Sequence, residues 1–448
     1  MNFEKIALGL PHILLPREGL DLKKWAVVAC DQYTSQPQVW EKIKDLVGDD
    51  PSTLHMIFPE VYLEDSDKDA RIVSINRTMA RYLQDGILTE QRPGFVLLER
   101  RTAHAPSRKG LVVALDLEHY DFSATAKTLI RATEGTVIDR LPPRIKIREQ
   151  AALESPHIMV LIDDPERTVI EPLFQKALPK LYDFDLMMDS GHLTGYLVDD
   201  EKQLNAVAAS LERLADPAYF QQRYGVQDTR VLLYAMGDGN HSLATAKVIW
   251  ERLKEQTEDK AALMQHPARY ALVELVNIHD PGLEFEPIHR VLFNCAFGEL
   301  FEALQAFCKA QGAQCSASTL ESLAALKAYP LTQTGAHIFP FVNEGRFGVL
   351  TVEHPKQYLE YATIQTFLDD YLSSHGQTRI DYVHGEDIVT ELGSQSGNIG
   401  FYMPTISKST FFKTIVLDGA LPRKTFSMGH ADEKRFYMEC RKITSEKS

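Results

Sequence analysis

The sequence is that of a mixed α/β protein, with an α/β body over residues 1–280 that carries the candidate pocket and an α+β portion over 281–448 whose last segment is expected to return to that pocket. Three observations predict this. Apolar runs closed by turn residues, HIMVLIDDP and VLLYAMGDG among them, read as buried strands, and amphipathic helices alternate with them irregularly. After RYALVELVNIHD the pattern shifts to helix FGELFEALQAF, helix STLESLAALKAYP, strands HIFPFVN and FGVLTVE, and helix IQTFLDDYL, which puts a boundary near residue 280. Finally, 448 residues exceed the size at which one hydrophobic core stops growing.

Each element follows from local pattern. WAVVAC is a strand that leads into DQYTSQP and a helix from Gln38. Ile72, Ile75, Met79, Tyr82 and Leu83 form one helical stripe, which Gly86 ends. GFVLLERRTA and KGLVVALDLE, separated by HAPSRK, make an antiparallel hairpin. DEKQLNAVAASLERLADP and SLATAKVIWERLKEQ are amphipathic helices, the second capped by Ser242 or Asn240. No fixed period recurs, so nothing supports a solenoid or propeller.

Composition narrows the function classes. With 44% hydrophobic and 25% charged residues the chain is of ordinary globular type. A net charge of −14 without any Lys/Arg-rich run argues against a nucleic-acid surface. The opening MNFEKIALGLPHILLPREGL, broken by two prolines and without a small-residue cleavage site, is not expected to be a secretion signal. No run of about 18 apolar residues exists, so no membrane span is expected. Five scattered cysteines without a C-x-x-C pair suit reduced thiols in a cytoplasm.

Polar clusters mark where chemistry could lie. MGDGNHS places Asp238, Asn240, His241 and Ser242 at a strand-to-helix switch, where Gly237 and Gly239 permit positive φ and the helix start favours an anion. An Asx-type turn with a helix cap uses the same vocabulary. LIRATEGTVIDRLPPRIKIRE gathers Arg131, Glu134, Thr136, Arg140, Arg144, Lys146, Arg148 and Glu149, cations that could neutralise a polyphosphate or could form a solvated helix face. Asp31, Tyr33, Thr34 and Ser35 follow a strand at the end where open α/β sheets bind ligands. FEPIHR and GALPRKTFSMGH add His289, Arg290, Arg423, Lys424 and His430.

In this order, ACDQYTS, IRATEGT, MGDGNHS, PIHR and LPRKTF resemble, nearly end to end, the motifs of the bacterial and archaeal domain-of-unknown-function family 1015. That family's own spellings are PPYD, I-x-R-H-E-x-T, A-D-G-H-H-R, P-T-H-R and M-P-x-K-S-T. The family is similar to free L-serine kinases, and its central motif to the nucleotide-binding core shared by ParB-type proteins and sulfiredoxin. The resemblance implies such a core and transfer of phosphate from ATP or ADP, with Mg2+, to a small hydroxyl acceptor, free L-serine first. Glu134 would then activate the hydroxyl. The turn Gly237, Gly239, Asn240, His241 and Ser242 would hold phosphates, with Arg131, Thr136, Arg140, His289, Arg290 and Lys424 beside them. Asp238 would hold magnesium or orient His241, and Asp31 and Tyr33 would meet the substrate. The partners implied are therefore a nucleotide and a small molecule.

The departures have chemical weight. Where the family has H-H-R this chain has Asn240-His241-Ser242, and R-H-E is A-T-E, so a guanidinium that clamps phosphate is missing from the turn. They motivate a second reading, a nucleotide-binding regulatory or scaffold protein without transfer. A third, sulfiredoxin-like chemistry on an oxidised thiol, would need Cys30.

Overall fold

The structure is a computed structural model that describes residues 3–422, 424–429 and 433–445. Arg423 and His430 of the late cationic loop lie outside the described residues. The chain divides into two units, Met1–Glu284 with Gly429–Ser448, and Phe285–Met428. The second unit begins at Phe285, and the chain's closing segment, from Gly429, belongs to the first.

The first unit is built on a ten-stranded mixed sheet. Its order runs Lys180–Asp185, His192–Val198, Phe95–Arg101, Arg108–Asp116, Tyr270–Asn277, Met159–Ile162, Tyr234–Asp238, Ile130–Arg131 and Tyr120–Asp121, with Leu8–Gly9 added beside Arg108–Asp116. The expected hairpin is present, with Val96 opposite Val112. Strands in the middle of the sheet are covered on both faces, which is why they read as continuous apolar runs rather than alternating ones. Leu111 to Val113, Val160 to Ile162 and Tyr234 to Met236 are all essentially inaccessible. The Ile72 stripe forms the inner face of the Lys68–Gln84 helix and packs with Trp25, Trp40 and Tyr82 in one apolar cluster.

The second unit is a six-stranded antiparallel sheet ordered Gln314–Leu320, Arg346–Glu353, Ala336–Asn343, Asn398–Phe401, His289–Phe293 and Arg379–Val383. STLESLAALKAYP is mostly not a helix. Gln314–Leu320 is a strand, and only Leu323–Lys327 is helical, capped by Ser322. Cross-strand pairing with Arg346–Glu353 overrides the helix propensity of that segment.

The closing segment of the first unit is stitched in by buried charge. Phe436 and Tyr437 pair with Val28 and Val27, and Arg441 and Lys442 pair with Glu154 and Leu153. Arg435 lies 3.3 Å from Glu274 and is ion-paired with Glu439. Arg441 donates to Glu154 at 2.5 Å, and Arg148 engages the other oxygen of that carboxylate. Burial alone would raise Glu154, but Arg441 and Arg148 hold its carboxyl below the usual value. Arg441→Met would leave Glu154 buried with half its compensation, and we expect a loss of about 3 kcal/mol, read as a lower urea midpoint at unchanged slope. In the parent, the contribution of Glu154 is complete above its unfolded value of about 4.3 and disappears as pH falls through the lower folded value. An acid-unfolding profile that is the same for parent and variant would contradict this.

Candidate functional site

The Tyr234–Asp238 strand runs parallel to Ile130–Arg131, with Tyr234 opposite Ile130 and Ala235 opposite Arg131. Parallel neighbours deliver their C-terminal ends to one edge of the sheet, where α/β proteins bind ligands. MGDGNHS and ATEGT, a hundred residues apart in sequence, therefore emerge side by side. Two hydrogen bonds tie them: Thr133 Oγ1 donates to the Met236 carbonyl at 2.7 Å, and the Val137 amide donates to His241 Nε2 at 3.3 Å. Glu134, half-buried, and Thr136 sit between these anchors.

The turn differs from its expected form in two ways. Gly237 does not adopt positive φ; it is a bulge, because Met159 pairs with Asp238 while Val160 pairs with Met236. Gly239 is the left-handed residue, at φ +81°, and a Cβ there would stand 3.0 Å from Ile158 Cα. It is also the N-cap of the Asn240–Gln256 helix, which no side chain caps. The cap role expected of Ser242 or Asn240 is thus corrected. Ser242 Oγ instead meets His157 Nε2 at 2.8 Å, and Asn240 Oδ1 is buried without a protein partner, as is Thr136 Oγ1. Among the described residues, the amides of Asn240 and His241 also have no partner.

Electrostatics sort the groups around the turn. Asp238 accepts from the Gly239 amide at 2.9 Å and pairs with the Lys434 ammonium at 3.1 Å. Burial works to raise its carboxyl, but Lys434 foremost, then the amide and His157, hold it below the usual range. Burial pushes the half-buried His241 imidazole down to about 4, helped by the charges of Arg144 and Arg140 and opposed by Asp31. His241 is therefore neutral near pH 7, with Nε2 as acceptor for Val137.

Lys434, His157 and Tyr437 complete the site, and motif reading missed all three. Tyr437 hydroxyl lies 3.0 Å from His157 Nδ1 and accepts the Cys30 amide at 3.1 Å. A pocket of about 150 Å³ is bounded by Ser242, His157 and Tyr437, by the apolar Met56, Phe58 and Met79, and by Arg144, which is ion-paired to Glu60. The only sequence signal for His157 was its place just before the Met159–Ile162 strand, and Lys434 lies in a segment with no periodicity.

Residues 14–371 are matched by the family model "Protein of unknown function (DUF1015)". The chain belongs to DUF1015. The closing segment with Lys434 and Tyr437 lies beyond the matched stretch. No curated protein matches the chain. Among solved structures, the chain is similar to a free serine kinase in complex with AMP, at 12% identity and TM-score 0.37, covering 74% of this chain and 92% of that one. It is likewise similar to a conserved hypothetical protein from Pyrococcus furiosus, at 12% identity and TM-score 0.35, covering 74% and 95%. C-terminally truncated SbnI from Staphylococcus aureus follows at 10% identity and TM-score 0.34, covering 71% and 82%.

Several of the expected site residues have surroundings of their own. Arg131, 3% exposed, donates to the carbonyls of Thr128 and Arg230 at 2.9 and 2.6 Å. Asp31 is half-buried near His241, whereas Tyr33, at φ +53°, lines a separate recess with Ile43, Met187 and Phe436. His289, Arg290 and Lys424 belong to the second unit. There His289 Nδ1 accepts the Met403 amide at 3.0 Å, and Arg290 is buried between Tyr361 and Tyr382 and donates to Gln365 at 3.2 Å. Lys424 is exposed at φ +58°. Magnesium fits Asp238 poorly, since one oxygen holds an ammonium and the other an amide. Among the described residues no group of three or more His, Cys, Asp or Glu side chains could hold a metal, and no helix is long and apolar enough to cross a membrane.

The low value of His241 is testable. Its imidazole signal in NMR should inflect near pH 4 and stay flat from pH 5 to 8. Because the unfolded state takes up a proton near 6.5 that the folded site refuses, His241 lowers stability progressively as pH falls from about 6.5 towards 4. An inflection near 6.5 would contradict the geometry.

Proposed function

We propose that this DUF1015 protein binds the phosphates of ATP or ADP at the Asp238–Ser242 turn and transfers a phosphoryl group to the hydroxyl of a small acceptor. Free L-serine is the acceptor that the family resemblance implies. The observation that carries the reading is the Lys434 ammonium, held by Asp238 in front of a helix start that no side chain caps. Phosphoryl transfer asks a protein chiefly for positioning and charge stabilisation. Lys434, the free amides of Asn240 and His241, and the nearby Arg140 and Arg144 answer that demand.

Lys434 also answers the chief argument for a binding protein without transfer. Ser242 in place of a guanidinium does not leave the turn without a cation, because the closing segment brings one in. Glu134 is the group to take the acceptor's proton, since its loop is fastened to the turn on both sides.

Nucleotide-induced thermal stabilisation tests the binding half. Lys434→Met should weaken ATP and ADP binding at least about tenfold, one charge-assisted contact, in a titration below its melting temperature, and should lower the melting temperature of the free protein because Asp238 loses its counter-charge. Glu134→Gln should leave nucleotide binding intact and lower product formation, followed by mass spectrometry with L-serine and other small alcohols, by about 10²-fold. Lys434→Met binding nucleotide as the parent does would overturn the reading.

A further inference from the structure

Three side chains at this site form a chain that the transfer described above does not use. Ser242 Oγ lies 2.8 Å from His157 Nε2, and His157 Nδ1 lies 3.0 Å from the Tyr437 hydroxyl. A nucleophile, a base within hydrogen-bond reach and a third group that orients the base are the parts of covalent catalysis. The third group is firmly placed: Tyr437 is 2% exposed, its ring meets His157 edge-on at 5.6 Å, and its oxygen receives the Cys30 amide. A tyrosine oxygen has a second lone pair to accept Nδ1–H, which leaves Nε2 as acceptor for the Ser242 proton.

The helix has no need of this serine. Gly239 is the cap, so the Ser242 hydroxyl is not engaged with the backbone amides. Ser242, His157 and Tyr437 also border the 150 Å³ pocket, so the pair faces space that a ligand can enter. Asp238 lies on the same turn, paired with Lys434 of the closing segment, where the proposed phosphates bind.

We propose that Ser242 is a nucleophile activated by His157, and that it carries the phosphoryl group covalently from nucleotide to acceptor. The inference rests on the nucleotide reading above. In the first step Ser242 Oγ gives its proton to His157 Nε2 and bonds to the terminal phosphorus. The bridging P–O bond breaks, and the shortened nucleotide departs with that electron pair. In the second step the acceptor hydroxyl loses its proton to Glu134 and bonds to phosphorus, the Ser242 Oγ–P bond breaks, and His157 returns the proton to Oγ. Tyr437 is a positioning residue.

Intact-protein mass spectrometry after incubation with ATP or ADP, magnesium and no acceptor tests the step. The expected result is a gain of one phosphoryl group, mapped to Ser242, discharged when acceptor is added, absent in Ser242→Ala and formed about 10²-fold more slowly in His157→Asn. A fluorophosphonate probe should label Ser242 of the unaltered protein without any nucleotide, which keeps the test independent of how the variants fold. Product formation with no phosphoserine and no probe adduct would overturn the proposal and leave direct transfer standing. Absence of nucleotide-induced thermal stabilisation together with absence of the adduct would overturn both readings, and the thermal shift tells the two failures apart.

Discussion

The buried pairing of Arg435 with Glu274 and Glu439, and of Arg441 with Glu154, is the interaction on which the site depends. Charges removed from water are costly unless each finds its counter-charge in good geometry. The cost works against any other placement of the closing segment, since one that leaves either arginine inside without its carboxylate is strongly disfavoured. Tyr182 hydrogen-bonds Glu439, and the Trp25 indole donates to the Met438 carbonyl at 3.1 Å, which adds directional bonds to the charge matching. Between the two arginines lies Tyr437, and just before them Lys434, so the pairs that anchor the segment also set the orienting hydroxyl and the cation of the candidate site.

A second constraint comes from the sheet. Parallel pairing of Tyr234–Asp238 with Ile130–Arg131 brings two loops to the same edge, and the bulge at Gly237 with left-handed Gly239 turns the chain directly into a helix. The price is a helix start without a side-chain cap, a local weakness in stability that leaves two amides available to an anion. Arg131, the cation nearest to this edge in sequence, is used to hold backbone carbonyls, so positive charge comes from Arg140, Arg144 and Lys434 instead.

The second unit shows how cationic motifs can serve an interior. Arg290 lies between two tyrosine rings with its Nε on Gln365, and His289 receives a backbone amide. Burial holds that imidazole down at about 4, neutral under ordinary conditions.

Local order was legible in the residues alone. Apolar runs marked the central strands and the Ile72 stripe marked a helix, because burial on a sheet or helix face imposes a period on the side chains. The turn from Gly237 to Ser242 and the ATEGT loop stood out because few residue types suit bulges, left-handed turns and charge near a helix start. The fate of STLESLAALKAYP was not legible, since pairing with a distant strand outweighed its helix propensity. Lys434, His157 and Tyr437 had no pattern to announce them. Their proximity to the turn comes from long-range strand pairing and buried ion pairs, contacts between residues from about eighty to several hundred positions apart, which one-dimensional spacing does not encode.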